Sequence, residues 1–294
     1  MQSTYIDQKV LKNYSVIIPA HNEANFLEGL LQSLCKQSVQ ASEIVLVNDN
    51  STDQTEALME RFAKEHKNIH YVNHPSTDQH LPGGKVIQAF SFGLKNLKQP
   101  FEVIVKLDAD LILPNNYFEE LLPFFENPKI GIAGGFCVEQ NAKGQWKRNH
   151  PMGHDHVRGA FKAYSKECFS AIGGLLPAIG WDTIDELLAR FFDFETQTLA
   201  KLEVKHLRPL GAAYSVQVAQ LQGAAFYSMR YGFLLSVLAS LKNALNKKDT
   251  NVFFCLLKGY RKAKQQQHPF LVTVEQGKFI RNYRWSKIWG KNSR

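Results

Sequence analysis

Apolar positions follow two rhythms along the first half of the chain. Short runs in which nearly every residue is hydrophobic, YSVIIPA (14–20), EIVLVND (43–49), NIHYVNH (68–74), FEVIVKLD (101–108) and IGIAGG (130–135), read as buried strands. Helical periodicity fills the gaps. Phe26, Leu27, Leu30, Leu31 and Leu34 share one stripe, Ser51–His66 opens with Ser51 and Gln54 at capping-box spacing, and further helices are expected over Val86–Leu97 and Tyr117–Phe125. This β-α-β-α alternation predicts an α/β domain with a mostly parallel sheet covered by helices.

The second half is less regular. His156–Leu175 predicts a helix stopped by Gly173 and Gly174, Gly180–Thr196 a second helix with Ile184, Leu187, Leu188 and Phe191 inward, and Leu202–Gly211 a strand. Beyond about Gln220 the chain turns aromatic and basic. A boundary is therefore expected between a domain at 1–219 and a helical basic extension at 220–294.

Charge sharpens that division. The 294 residues carry a net charge of +8, but residues 220–294 alone hold fourteen Lys or Arg against Asp249 and Glu275, a balance of +12 that leaves −4 for the rest. Basicity confined to the tail argues against a nucleic-acid partner and suits an anionic membrane surface or another partner. Tyr231–Leu241 is the longest uninterrupted apolar part of the tail and is shorter than the roughly 20 residues of a span, so it would lie at an interface or pack as a helix. Four scattered cysteines and an N-terminus without a secretion pattern point to a cytoplasmic protein, at most peripheral at the inner face of the plasma membrane.

Strand ends carry the chemistry. In such a sheet ligands bind outside the carboxyl ends of the strands. PAHNE follows the first strand, NDNSTD the second, LPGGK the third and DAD the fourth, which brings four polar clusters to one rim. Asp108 and Asp110 would stand on the same side of an extended chain and repel each other unless a cation lay between them. Composition alone predicts about 0.4 such triplets, so the pair gains meaning from its neighbours. Alone it could simply end a strand and cap the next helix.

The residues of SVIIPAHNE, VNDNSTDQT and KLDAD, in this order, resemble the family 2 glycosyltransferases over roughly Tyr14–Gly211. The resemblance implies a GT-A fold and a metal-dependent, inverting transfer of sugar from a nucleoside-diphosphate donor to a sugar or lipid-linked acceptor hydroxyl. It implies Mg2+ or Mn2+ bound at Asp110, with Asp108 facing the ribose or the metal's water shell and His206 completing the site. Pro19, Ala20 and Glu23 would lie against the nucleotide and Asp49 would read the base edge, with Asn48 where the family often has an aspartate. Gly84 and Lys85 would approach the diphosphate, unless Lys85 is a solvated turn lysine.

In that family the base is the aspartate of a Glu-Asp pair about eleven residues before a turn. Counting back from Asp193 and Phe194 reaches Asp182, with Trp181 in the glutamate's place; Asp185, one helical turn on, competes. Both could instead complement a helix dipole. His150, His154, Asp155 and His156 have ligand chemistry but fit no zinc spacing. RNYRW is similar to the Q-x-x-R-W of processive synthases, with Arg281 where glutamine should stand. Two other readings remain: a sugar nucleotidyltransferase, which would want a glycine-rich basic first loop, and a non-catalytic basic module for membrane or nucleic acid.

Overall fold

The computed structural model describes residues 12–76, 83–141, 143–148, 155–208 and 216–290. The α/β expectation is borne out, with a mixed sheet whose first four strands are parallel. Strands β1 (Tyr14–Ala20), β2 (Glu43–Asn48), β3 (Ile69–Asn73) and β4 (Val103–Leu107) lie parallel in the order β3-β2-β1-β4. Parallel neighbours need crossovers, and helices α1 (Leu27–Cys35), α2 (Thr55–Glu65) and α3 (Gly84–Lys95) supply them. β1, β2 and β4 are buried at every position, which is why they read as continuous apolar runs. The α1 stripe of Leu27, Leu30, Leu31 and Leu34 is likewise buried, each side chain contributing about 1.5–3 kcal/mol.

The sheet continues beyond β4. After β5 (Leu111–Ile112), helix α4 (Tyr117–Leu121) and a 3-10 turn at Leu122–Glu126 come β6 (Ile130–Gln140), β7 (Trp146–Lys147), β8 (Phe161–Ser165) and β9 (Glu195–His206). β8 inserts antiparallel between β4 and β6, β9 runs parallel to β6, and β5 pairs antiparallel with the end of β9. Connections leave β1 toward β2 and β3 on one side and return to β4 on the other. The crevice outside β1 and β4 is thus a topological switch point.

Two expectations are corrected. The helix expected over His156–Leu175 is strand β8 followed by the short helix α5 (Lys166–Ala171), because β8 is buried on both faces and shows no alternation. The expected capping box at Ser51 and Gln54 does not form; Gln54 makes no side-chain cap, and Ser51 Oγ instead accepts from Asn22 N at 3.1 Å.

The chain gathers into two compact units, one of Met1–Pro75, Phe92–Phe169 and Phe194–Arg208, the other of Ser76–Ser91, Ser170–Asp193 and Pro209–Arg294. The first holds the sheet. The second is helical: α6 (Trp181–Phe191), α7 (Val216–Ser228), α8 (Phe233–Lys247), α9 (Thr250–Gln265) and α10 (Val274–Ile288). Position 220, where the basic tail was expected to begin, lies inside α7.

Helices α7 and α9 cross at glycines. A Cβ on Gly223 would stand 1.9 Å from the Leu256 carbonyl oxygen, and one on Gly259 1.9 Å from that of Gln220, so the two backbones meet where side chains are absent. Helix α10 starts at a full capping box, Thr273 with Gln276, and docks on α6 through Phe279 against Phe191 at 5.6 Å. Among the described residues no helix is long and apolar enough to cross a membrane.

Candidate functional site

The loops after β1 and β2 are stitched together by their own side chains. Asp49 N donates to the Ala20 carbonyl at 2.9 Å, and His21 Nδ1–H donates to the Asp49 carbonyl at 2.6 Å. Glu23 N donates to Thr55 Oγ1 at 2.8 Å and Ala24 N to Asp53 at 3.1 Å. Asn22 and Asn50 both adopt left-handed backbone, at φ 55° and 54°, a conformation asparagine tolerates better than most residues. Polar residues that looked like helix caps therefore hold one loop against the other.

Asp49 is buried, and His74 Nδ1 lies 3.0 Å from its carboxylate. The parallel register of β2 and β3 sets Asn48 opposite Asn73, so the residues that follow each strand meet. His74 escaped the sequence reading because it reaches Asp49 only through that register.

The two aspartates of DAD do not stand side by side on an extended chain. β4 stops at Leu107 and the chain turns over 108–110, which sends the carboxylates to different partners. Asp108 pairs with Lys106, an almost fully buried lysine that also donates to the Gly159 carbonyl at 3.0 Å. A buried ammonium needs such a partner, because leaving its charge unpaired would cost several kcal/mol.

Asp110 meets the end of β9. Leu111 pairs with His206 across the β5–β9 ladder, and His206 Nε2 lies 3.5 Å from Asp110 Oδ1. Behind the imidazole, the β6–β9 register sets Glu139 opposite His206, with Glu139 Oε1 3.8 Å from His206 Nδ1 and 3.4 Å from Arg158 Nη1. His206 is 6% exposed and its Nδ1 has no hydrogen-bond partner. Two residues on, Arg208 spans the rim: its Nη2 is 2.5 Å from Glu23 Oε2 and its Nε 3.7 Å from Asp110 Oδ2. In an extended chain residues two apart face the same way, so the spacing of His206 and Arg208 was the sequence signal that was missed.

Burial raises the Asp110 carboxyl above its ordinary value; His206 and Arg208 pull it back and Asp108 pushes it further up. Burial likewise raises Glu23 against the pull of Arg208. A cation at this rim would relieve both.

Among the described residues no three His, Cys, Asp or Glu side chains gather into a closed cation site. Asp110 and His206 form an open pair instead, a hard oxygen and an imidazole nitrogen 3.5 Å apart. Adjacent ligands of a six-coordinate ion with bonds of about 2.1 Å lie about 3 Å apart, and such ions complete their shell with phosphate oxygens and waters. A carboxylate and an imidazole so placed could hold a divalent cation, with Glu139 placed to accept from the outer imidazole N–H of a ligating histidine.

Asp182, Asp185, Gly84 and Lys85 belong to the helical unit. Asp182 is half-buried in the first turn of α6 and lines a cleft of about 860 Å3. Asp185 is buried, and its Oδ1 accepts from Glu186 N at 2.7 Å. Gly84 opens α3 and is buried, with Lys85 beside it half-buried. Leu81 and Pro82 of LPGGK, and His150 and His154, lie outside the described residues. Arg281 donates to the Arg230 carbonyl at 2.8 Å, tying α10 to the end of α7.

Residues 15–180, more than half of the chain, match the family described as Glycosyl transferase family 2. The chain belongs to that family. Among curated relatives, the glycosyltransferase GlyG of Streptococcus pneumoniae is 25% identical over 186 residues, 54% of this chain and 58% of that protein. The poly-beta-1,6-N-acetyl-D-glucosamine synthase of Staphylococcus epidermidis is 25% identical over 130 residues, 44% of this chain and 29% of that one. The chain thus spans well under two thirds of these relatives' lengths.

Solved structures agree on the fold. The mannosyltransferase PcManGT of Pyrobaculum calidifontis, in complex with GDP-Man and Mn2+, superposes with a TM-score of 0.58 at 17% identity over 95% of this chain and 81% of that one. TarS of S. aureus with UDP-GlcNAc gives 0.57 at 17% identity over 91% and 78%. The family 2 chain therefore has the GT-A fold expected for it.

Proposed function

We propose that this chain transfers a sugar from a nucleoside-diphosphate donor to an acceptor hydroxyl, with inversion and with help from Mg2+ or Mn2+. The observation that carries the reading is the meeting of Asp110 and His206, 96 residues apart in sequence, at 3.5 Å on the rim of a family 2 sheet. Beside them Arg208 bridges Glu23 and Asp110.

The roles follow from chemistry. Pro19, Ala20, Glu23 and Asp49 line the nucleoside side of the rim, where carboxylates accept from ribose hydroxyls or a base N–H. Asp108, held by Lys106, offers an oriented acceptor beside them. A cation held by Asp110 and His206 would neutralise the charge that builds on the departing diphosphate. Arg208 adds a fixed positive charge at the same place, and Gly84 and Lys85 are further candidates for the diphosphate.

Asp182 takes the proton from the attacking acceptor hydroxyl as that oxygen bonds to the anomeric carbon and the bond to the diphosphate breaks. Its partial exposure on a cleft favours it over Asp185, which is buried and hydrogen-bonded to its own helix.

The test is a panel of UDP-, GDP- and dTDP-sugars incubated with Mn2+. One donor should release its nucleoside diphosphate, and Asp110→Asn should abolish that release. Release of pyrophosphate from a nucleoside triphosphate and a sugar 1-phosphate, with no diphosphate released from any donor, would replace this reading with a nucleotidyltransferase.

A further inference from the structure

The cleft of about 860 Å3 in the helical unit has two kinds of lining. One is apolar, built from Phe226, Met229 and Leu235. The other carries three cations, Lys242 from α8 and Arg284 and Lys287 from α10, against one lining carboxylate, Asp182. The guanidinium of Arg284 is the decisive group: its Nε is buried without a hydrogen-bond partner, and its Cζ lies 5.6 Å from the Tyr231 ring centroid. A buried N–H of this kind calls for an acceptor.

Helix α8 adds a second observation. Its cleft-lining stripe runs through Leu235, Ala239, Lys242 and Asn246. Next to it lies another stripe, Leu234, Leu238, Leu241 and Leu245, exposed by 39–68%. Residues at this spacing share one helical face, so an unburied leucine strip borders a cationic cleft. Neither a neutral glycan nor a small phosphate uses both features. An amphiphile does, with its phosphate at the cations and its chain along the apolar wall and the leucine strip.

We infer that the cleft is a binding site for an acceptor of one chemical class, a phosphate-bearing lipid, whose phosphate is held by Lys242, Arg284 and Lys287. The inference names the acceptor for the transfer proposed above and rests on that reading for its catalytic meaning; the binding itself does not. In a lipid-linked acceptor the reacting hydroxyl belongs to the head group, and Asp182, the base proposed above, is the carboxylate that lines this cleft. The net positive charge of the tail would help recruit such a ligand from an anionic surface.

Calorimetric titration of the full chain with n-decyl phosphate below its micellar concentration tests the site, with decyl maltoside and glycerol 3-phosphate as the two half-ligands. Decyl phosphate should bind saturably and at least tenfold more tightly than either. Lys242→Glu combined with Lys287→Glu replaces exposed side chains, so the fold should persist, and affinity should fall about tenfold or more while weak decyl maltoside binding stays unchanged.

Equal binding of glycerol 3-phosphate would overturn the lipid part of the inference. Decyl phosphate binding no better than decyl maltoside, or unchanged in the double variant, would overturn the phosphate part. Donor turnover measured on the same preparations separates the two claims. Lipid binding without turnover leaves the cleft assignment standing and removes the transferase reading, whereas turnover without lipid binding does the reverse.

Discussion

The sheet rim and the helical cleft solve opposite electrostatic problems. At the rim, Glu23, Asp49, Asp108, Asp110 and Glu139 gather around the ends of β1, β2, β4 and β6, and each is answered by a neighbouring cation or imidazole: Arg208, His74, Lys106, His206 or Arg158. In the cleft the excess is positive and the walls are apolar. On the proposed reading the rim would take a cation and the phosphates it carries, and the cleft an anion with a greasy body. Donor and acceptor would then meet surfaces of different sign.

The largest effects should come from the acids assigned to chemistry. Asp182→Asn is expected to lower kcat on the order of 10²–10⁴-fold with little change in donor KM, because it removes a proton acceptor and no donor contact. A fall in donor affinity with kcat preserved would move Asp182 out of the base's role. Arg208→Ala is expected to weaken nucleoside-diphosphate binding by about tenfold or more, through loss of a charge-assisted contact to phosphate, and to leave decyl phosphate binding unchanged. Loss of both together would erase the distinction between rim and cleft.

A structural effect of middle size should appear at the helix crossing. Gly223→Ala forces a methyl group against the Leu256 carbonyl and is expected to destabilise the protein by about 1–3 kcal/mol, measured by denaturant unfolding. Nucleoside-diphosphate affinity, measured where the variant is folded, should not change. A neutral substitution would mean that the α7–α9 packing relaxes more freely than its backbone contact suggests.

Much of the rim could be read directly, and the cleft could not. β1, β2 and β4 announce themselves as continuous apolar runs, and the polar residues that follow them are contiguous in sequence: PAHNE, NDNSTD and DAD. What the chain hides is register. Glu139 faces His206 because β6 and β9 are parallel neighbours, and His74 meets Asp49 because β2 and β3 are. β8 was hidden for another reason: buried on both faces, including Lys162, it lacks the alternation that marks a strand. The cleft draws on α6, α7, α8 and α10, whose lining residues share no motif.

The smallest predicted effect concerns pH. Burial, with Lys98 adding to it, holds the His70 pKa below its ordinary value, while Glu43 at 3.5 Å opposes the shift. The unfolded chain, with a histidine value of about 6.5, then binds the proton more readily than the folded one. Stability should therefore be lost as pH falls from about 6.5 toward His70's lower folded value, and be fully present above that window. His70→Gln should flatten this part of the stability profile; an unchanged slope would assign it to other groups.

Asp110 and His206 form the hinge of the account, and Mn2+ itself reports on them. Electron paramagnetic resonance follows the free Mn2+ signal as the protein is added with UDP or GDP. The wild-type chain should take up one Mn2+ with one of the two nucleotides, and Asp110→Asn and His206→Ala should each lose that uptake. Equal uptake by the Asp110→Asn variant, or none by the wild type with either nucleotide, would contradict the proposed cation site.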